Sequence, residues 1–133
     1  SFQPVIGEHA ELDANAVDKV LLVSGRLYYD LLANRQKAGD EKTAIIRVEQ
    51  LYPLPYKEIQ DAVAKYPNAE LVWAQDEPAN QGPWPFIGLN LPPELDRPLR
   101  LVSRPASAST ATGSAKRHAV EQDILVKKAF ERR

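Results

Sequence analysis

Lys19-Val20-Leu21-Leu22-Val23-Ser24-Gly25, followed at once by Arg26-Leu27-Tyr28-Tyr29-Asp30-Leu31-Leu32 and closed by Gly39, is the stretch from which the fold can be read. The first part is a short continuous apolar run ending in Ser-Gly, the pattern of a strand buried on both faces. In the second part Leu27, Tyr28, Leu31 and Leu32 recur at helical spacing, and Gly39 stands where a helix C-terminus takes glycine. The stretch predicts strand, tight turn, helix. Downstream, Thr43 to Val48 repeats the β-branched apolar signature. Pro53 and Pro55 then break the chain, and Ile59, Ala62, Val63 and Tyr66 mark a second helix that Pro67 stops. Glu70 to Ala74 is expected to be a third strand and Leu99 to Val102 a fourth. A last helix is expected from about Ser114 to Phe130 with Val120, Ile124 and Leu125 turned inward. Strands alternating with helices at this spacing imply right-handed crossovers and an α/β fold, an open parallel sheet covered on both faces. The first 18 residues fit this poorly, although Gln3 to Ile6 can form a short edge strand.

The whole chain, 133 residues, is the length of one domain, and 44% apolar with 26% charged residues is ordinary globular composition. Seventeen basic against eighteen acidic residues, interspersed, leave no field to attract nucleic acid or an anionic membrane. The absence of cysteine excludes a disulfide framework, a thiolate zinc site and a cysteine nucleophile. No apolar run approaches the roughly 18 residues of a membrane span, and Ser-Phe-Gln-Pro does not open a signal peptide, so the expected location is the cytoplasm. With no methionine at position 1 or anywhere else, the chain reads as a piece of a longer protein.

Ligands of open parallel sheets collect beyond the carboxyl ends of the strands. Those ends carry Ser24-Gly25, Glu49-Gln50, Gln75-Asp76-Glu77 and Ser103-Arg104, a rim of carboxylates, amides and one guanidinium. Glu49, Asp76 and Glu77 suit general acid–base work or a hard cation, and equally suit capping and interdomain hydrogen bonds. A single glycine after the first strand is neither a phosphate loop nor a dinucleotide fingerprint. His9 and His118 lack a ligand-spaced partner and read as surface or capping residues. Arg104, Lys116 and Arg117, with the hydroxyl-rich stretch Ser107 to Ser114 between them, suit an anion site at the start of the last helix, or a solvated basic turn with hydroxyl caps.

Glu77-Pro78-Ala79-Asn80-Gln81-Gly82-Pro83-Trp84 is the most unusual string. Seven of the eleven prolines lie between Glu77 and Pro105, a density that predicts a rigid extended loop. Such a loop would present Asn80, Gln81 and Trp84 as a contact surface at low entropic cost; the alternative is a loop folded back with Trp84 in the core.

Four strings in one order carry a resemblance. Ser24-Gly25-Arg26-Leu27-Tyr28-Tyr29-Asp30-Leu31-Leu32, Arg47-Val48-Glu49-Gln50-Leu51-Tyr52-Pro53, Asp76 to Trp84, and Arg104-Pro105-Ala106-Ser107-Ala108-Ser109 resemble the C-terminal domain of the E1 component of 2-oxoglutarate dehydrogenase, from about Val20 to Phe130. The resemblance implies a three-layer α/β/α sandwich of the transketolase C-terminal type. Its mostly parallel sheet has five strands, the first of them antiparallel, so residues 1–133 would be one domain at the end of a longer E1 chain. It also implies a homodimeric thiamine-diphosphate enzyme that decarboxylates 2-oxoglutarate and passes the succinyl group to the lipoyl arm of an E2 succinyltransferase. Such an enzyme is cytoplasmic in bacteria and lies in the mitochondrial matrix in eukaryotes. The diphosphate, its Mg²⁺ and the catalytic histidines belong to upstream domains, so no catalytic residue, metal or cofactor is expected on this chain.

Relatives of this kind carry effector sites, for acetyl-CoA in one branch and AMP in others. The acetyl-CoA pattern maps onto Gln50 and onto two arginines that are Lys57 and Glu58 here. One charge is thereby weakened and the other reversed, so acetyl-CoA binding is not carried over intact. A second function class stays open on the residues alone: a free-standing module that holds a nucleotide or other anion at the rim, with Arg104 and the Ser/Thr stretch as its cradle.

Overall fold

The computed structural model describes residues 2–105 and 115–132. Five strands, β1 (Val5–Ile6), β2 (Lys19–Val23), β3 (Thr43–Val48), β4 (Glu70–Pro78) and β5 (Leu99–Arg104), form one sheet in the order β1-β3-β2-β4-β5. All neighbours pair in parallel except β1, which runs antiparallel to β3 through Val5↔Val48 and Ile6↔Arg47. β2 lies at the centre with every residue buried, which is why its sequence is a continuous apolar run rather than an alternation.

Helices α1 (Leu27–Ala38), α2 (Tyr56–Ala64), α3 (Trp84–Asn90) and α4 (Ala115–Phe130) and the 3₁₀ turn Pro92–Glu94 surround the sheet. Two cores result. Leu21, Val23, Ile45, Val72 and Val102 meet Leu27 and Leu31 of α1 and Leu125, Val126 and Ala129 of α4. On the other face Val20, Leu22, Ile46, Leu71 and Trp73 meet Ile59 and Val63 of α2 and Ile87 of α3. α1 ends as its sequence requires. Gly39 takes φ +65° and donates to Gln36 O at 3.2 Å while Asp40 N donates to Arg35 O at 3.1 Å, the paired closure that a left-handed residue permits.

Several expectations need correction. Of the three α4 residues expected inward, Leu125 is buried, together with Val126 and Ala129, but Val120 and Ile124 are 54% and 51% exposed. Eight apolar positions within the α4 sequence allow more than one stripe, and the packed stripe is the one beginning at Leu125. The segment between Glu77 and Pro105 is not an extended loop, since α3, the 3₁₀ turn and β5 occupy most of it. Pro83 precedes α3 and Pro85 sits in its first turn, positions whose N–H groups have no intrahelical acceptor, so proline costs nothing there. Gln75, Asp76, Glu77, Ser103 and Arg104 belong to strands rather than following them, and α2 stops at Ala64 before Tyr66. Residues 107–113 of the hydroxyl-rich stretch, and Ser114 with them, lie outside the described residues.

The weak N-terminal segment is held by one ion pair. Beyond Ile6 the outer edge of β3 has no strand beside it, and Glu8 and Arg35 take its backbone groups. Glu8 accepts from Ile45 N at 2.7 Å, Arg35 Nη1 donates to Thr43 O at 3.0 Å, and the two side chains pair through both guanidinium nitrogens. Both are almost fully buried. Lys19, at the start of β2, is buried too and donates to the carbonyls of Ala129 (3.0 Å) and Glu131 at the end of α4.

Candidate functional site

The described residues of the four strings that carried the resemblance meet at the carboxyl edge of the sheet. From the first and second, the Arg47 guanidinium lies 4.5 Å from the ring centroid of Tyr28 and 5.7 Å from that of Tyr29, and pairs with Glu49 at 3.3 Å. Linking the first, third and fourth, Gln122 of α4 donates to Asp30 and Asp76, each at 2.9 Å, and accepts from Arg104. Arg104 also reaches Glu121 at 3.4 Å. The Tyr52 ring meets Phe86, two residues past Trp84, with centroids 4.5 Å apart.

Gln75 orders the string from Asp76 to Trp84. It is buried, and its amide nitrogen donates to the carbonyls of Glu77 (3.1 Å), Pro78 (2.9 Å) and Gln81 (2.9 Å). Its oxygen accepts from Trp73 Nε1 at 3.1 Å and Trp84 N at 2.8 Å. One side chain thus folds the turn and starts α3. Sequence reasoning placed Gln75 on the rim and gave it no task; the signal was a glutamine closing an apolar strand.

The expected contact residues divide. Asn80 and Gln81 are exposed, whereas Trp84 is half-buried against the α2 face of the core. Its indole lies over Gly88, where an added Cβ would stand 2.8 Å from Cε2. The exposed apolar groups nearby are Tyr52 (67%) and Leu89 (76%), so the outward ledge consists of Tyr52, Phe86 and Leu89 beside the Asn80–Gln81 turn. The effector candidates are engaged locally. Gln50 donates to Pro53 O at 2.8 Å, and the exposed Lys57 pairs with Asp61 at 3.4 Å.

Two of the rim carboxylates are engaged as well, Glu49 by Arg47 and Asp76 by Gln122, while Glu77 is exposed with its side chain against Gly82. Among the described residues no group of three or more His, Asp or Glu side chains could hold a metal ion. The Arg104 half of the proposed anion cradle is taken by Glu121 and Gln122, and the Ser/Thr half lies outside the described residues. His9 and His118 are exposed. No helix of the described residues is long and apolar enough to cross a membrane.

Sheet order, the antiparallel first strand and the helical layers define the transketolase-like class of α/β domains. A solved split-gene transketolase, described as an inactive β4 tetramer, superposes with a TM-score of 0.61 over 96% of this chain and 42% of its own, at 14% identity. Within that class, the family model described as 2-oxoglutarate dehydrogenase C-terminal matches residues 1–130, and the chain belongs to that family. It is 50% identical to the 2-oxoglutarate dehydrogenase E1/E2 component of Corynebacterium glutamicum, over 98% of this chain and 11% of that protein. To the E1 component of Cupriavidus necator it is 44% identical, over 97% and 14%. A multifunctional 2-oxoglutarate metabolism enzyme of a Mycobacterium matches at 44% over 89% and 10%. The chain therefore spans only about a tenth to a seventh of these relatives.

Proposed function

We propose that residues 1–133 are the C-terminal dimerisation and regulatory domain of a thiamine-diphosphate-dependent 2-oxoglutarate dehydrogenase E1. In this reading the domain contributes no catalytic group. Thiamine diphosphate and Mg²⁺ are held by preceding domains, which decarboxylate 2-oxoglutarate and succinylate the lipoyl arm of E2. The observation that carries the reading is that the described parts of the four family strings meet at one edge, where Glu49 is held by Arg47, and Asp30, Asp76 and Arg104 by Gln122 and Glu121 of α4. Such an edge is a rigid surface rather than a reaction centre. Tyr52, Phe86 and Leu89 supply an apolar ledge beside the exposed amides of Asn80 and Gln81, a composition that suits a domain interface. An effector of the acetyl-CoA or AMP kind at Gln50 and Lys57 would have to displace the Pro53 and Asp61 contacts. The anion-module alternative loses its main cation, since Arg104 is committed to α4.

Complementation in trans tests this. A full-length E1 lacking these residues should be inactive or nearly so, and should recover activity when residues 1–133 are supplied. The Leu89→Asp chain should fold normally and fail to restore it. Calorimetry of the chain alone with thiamine diphosphate and Mg²⁺ should give no heat of binding; saturable micromolar binding would overturn the assignment of the chemistry to other domains.

A further inference from the structure

α1 and α4 pack on one face of the sheet and each follows a parallel strand, so both run away from the carboxyl edge side by side. Between them lies a groove of about 1020 Å³. α1 turns Arg26, Asp30, Ala33, Asn34 and Lys37 toward it, and α4 turns His118, Ala119, Gln122, Asp123 and Lys127. These are the outer stripes of helices whose inner stripes, with Leu31 and Leu125, fill the core. The polar groups of the groove divide into two sets. Asp30 and Asp76 both accept from Gln122, Arg104 is held by Gln122 and Glu121, and Asp123 pairs with Lys127 at 3.0 Å. Arg26, Asn34, Lys37 and His118 have no hydrogen bond or ion pair among the described residues. The carboxylates are thus neutralised within the fold, and the charges left over are cationic. Arg26 does nothing for its own helix either. It stands at the N-cap of α1, where the dipole opposes a cation, and makes no capping bond.

We infer that the α1–α4 groove takes an acidic segment of a partner protein, laid along the two helices with one carboxylate at Arg26 and another at Lys37. The spacing of the free groups selects this occupant. Eleven residues of α1 put Arg26 and Lys37 about 16 Å apart along the helix axis, at a rise of about 1.5 Å per residue. A small dicarboxylate is too short to reach both. A nucleic-acid backbone or a polyphosphate carries charge at every step, and would set some of it against Asp30 and Asp123, which lie between the two cations. A peptide can place its charges apart. An extended chain advances about 3.3 Å per residue, so acidic residues about five positions apart, with neutral residues between, match the two cations. Asn34 lies between Arg26 and Lys37 on the same stripe, and its free carboxamide offers a donor and an acceptor to the main chain of that neutral stretch. Ala33 and Ala119, with methyl side chains only, leave the room for it. The groove is on the opposite face of the sheet from the Tyr52–Phe86–Leu89 ledge, and the inference does not rest on the proposed function.

The test is a titration of the isotope-labelled 133-residue chain with three end-blocked peptides, followed by amide shifts in nuclear magnetic resonance. The first probe is Glu-Ala-Ser-Leu-Ala-Glu, the second has the same composition with its glutamates adjacent, and the third carries glutamine in place of both. The first should bind saturably and move the amides of Ala33, Asn34 and Ala119; the other two should bind about tenfold more weakly or worse. Raising the salt from 50 to 500 mM should weaken the first probe, because its contacts are exposed ion pairs. The double variant R26E/K37E should raise the dissociation constant about tenfold or more, while Lys65→Glu, an exposed lysine on α2's side, should leave it unchanged. Arg26 and Lys37 are both exposed, so melting of the double variant should match that of the parent. Absence of saturable binding at millimolar peptide would overturn the inference. So would equal affinity for the adjacent-glutamate probe, binding that survives R26E/K37E, or a thymidine oligonucleotide that displaces the peptide from the same amides.

Discussion

Replacing Glu8 by Gln should destabilise the chain out of proportion to its position in an irregular N-terminal segment. The carboxylate sits under three constraints at once. Both of its oxygens face the Arg35 guanidinium, Oε1 takes the Ile45 N–H at the open edge of β3, and Oε2 takes the Ala10 N–H at 2.9 Å. The amide can still accept from Ile45, but it leaves Arg35 charged, and Arg35 is only 7% exposed at its side chain. Breaking a buried pair by removing one partner costs about 3–5 kcal/mol, a large share of the 5–15 kcal/mol that holds a typical domain together. At roughly 3–5 °C per kcal/mol for a chain of this size, the melting temperature should fall by about 10–20 °C. The pH dependence supplies a second readout. Burial pushes the Glu8 carboxyl up, but the Arg35 hydrogen bond, the N–H groups of Ile45 and Ala10 and the Arg35 charge outweigh it and hold the group below its ordinary 4.5. A carboxyl depressed in the folded state stabilises fully above its unfolded value and loses that contribution as pH falls through the folded one. The gap between parent and Glu8→Gln should therefore be widest near neutrality and close below pH 4.5. A double variant, E8Q/R35M, should cost less than the two singles together, because neither then leaves an orphan charge. Urea unfolding of the four chains at pH 7 and pH 3.5 measures all of this. A loss under 1 kcal/mol at pH 7, or a gap equal at both pH values, would refute the reasoning.

Gln75→Leu should cost about 2–4 kcal/mol, because it strips acceptors or donors from the Trp73 indole, the Trp84 N–H and three carbonyls; urea unfolding followed by tryptophan fluorescence reads it. Gly88→Ala should push the Trp84 indole off its seat, since the new Cβ would meet Cε2 at 2.8 Å; a loss of about 1–3 kcal/mol and a red shift of tryptophan emission are expected. Lys19→Met should free the end of α4 by leaving the Ala129 and Glu131 carbonyls without their donor, at about 2–4 kcal/mol. Hydrogen exchange should then accelerate in the last turn of α4 before it does elsewhere.

The central strand, the first helix and its glycine stop were legible because local and tertiary demands coincide there. A strand buried on both faces must be apolar throughout, and Val20 to Val23 is; a helix stop needs a left-handed residue, and Gly39 supplies it. Legibility failed where two local rules compete. Proline density argued for an extended loop between Glu77 and Pro105, but the prolines sit where helix and 3₁₀ starts tolerate them, and only the placement relative to Trp84 distinguishes the two cases. It failed again in α4. Val120, Ile124 and Leu125 all satisfy a helical period, and which stripe faces the sheet is fixed by how Leu125, Val126 and Ala129 fit between Leu31 and Val102, a long-range fact with no local trace.

The candidate site was legible as a place rather than as a set of roles. Listing the carboxyl ends of the strands brought Glu49, Gln50, Asp76 and Arg104 together in advance, because parallel strands in register end at one edge whatever their side chains. Roles were hidden because they depend on partners distant in sequence: Gln122 meets Asp30 and Asp76 across 92 and 46 residues. The proposed docking role rests on a physical contrast with a reaction centre. A group that is to move a proton or hold a cation must keep acceptor capacity free or carry a shifted affinity for protons. At this edge Glu49, Asp76 and Arg104 each have a partner of their own, while the strongly held charges, Glu8 with Arg35 and Lys19 with the end of α4, lie elsewhere and tie chain segments to the sheet. Much of the polar chemistry at this edge thus fixes the chain's own surfaces, and what stands outward beside it is apolar area at Tyr52 and Leu89 and the exposed amides of Asn80 and Gln81.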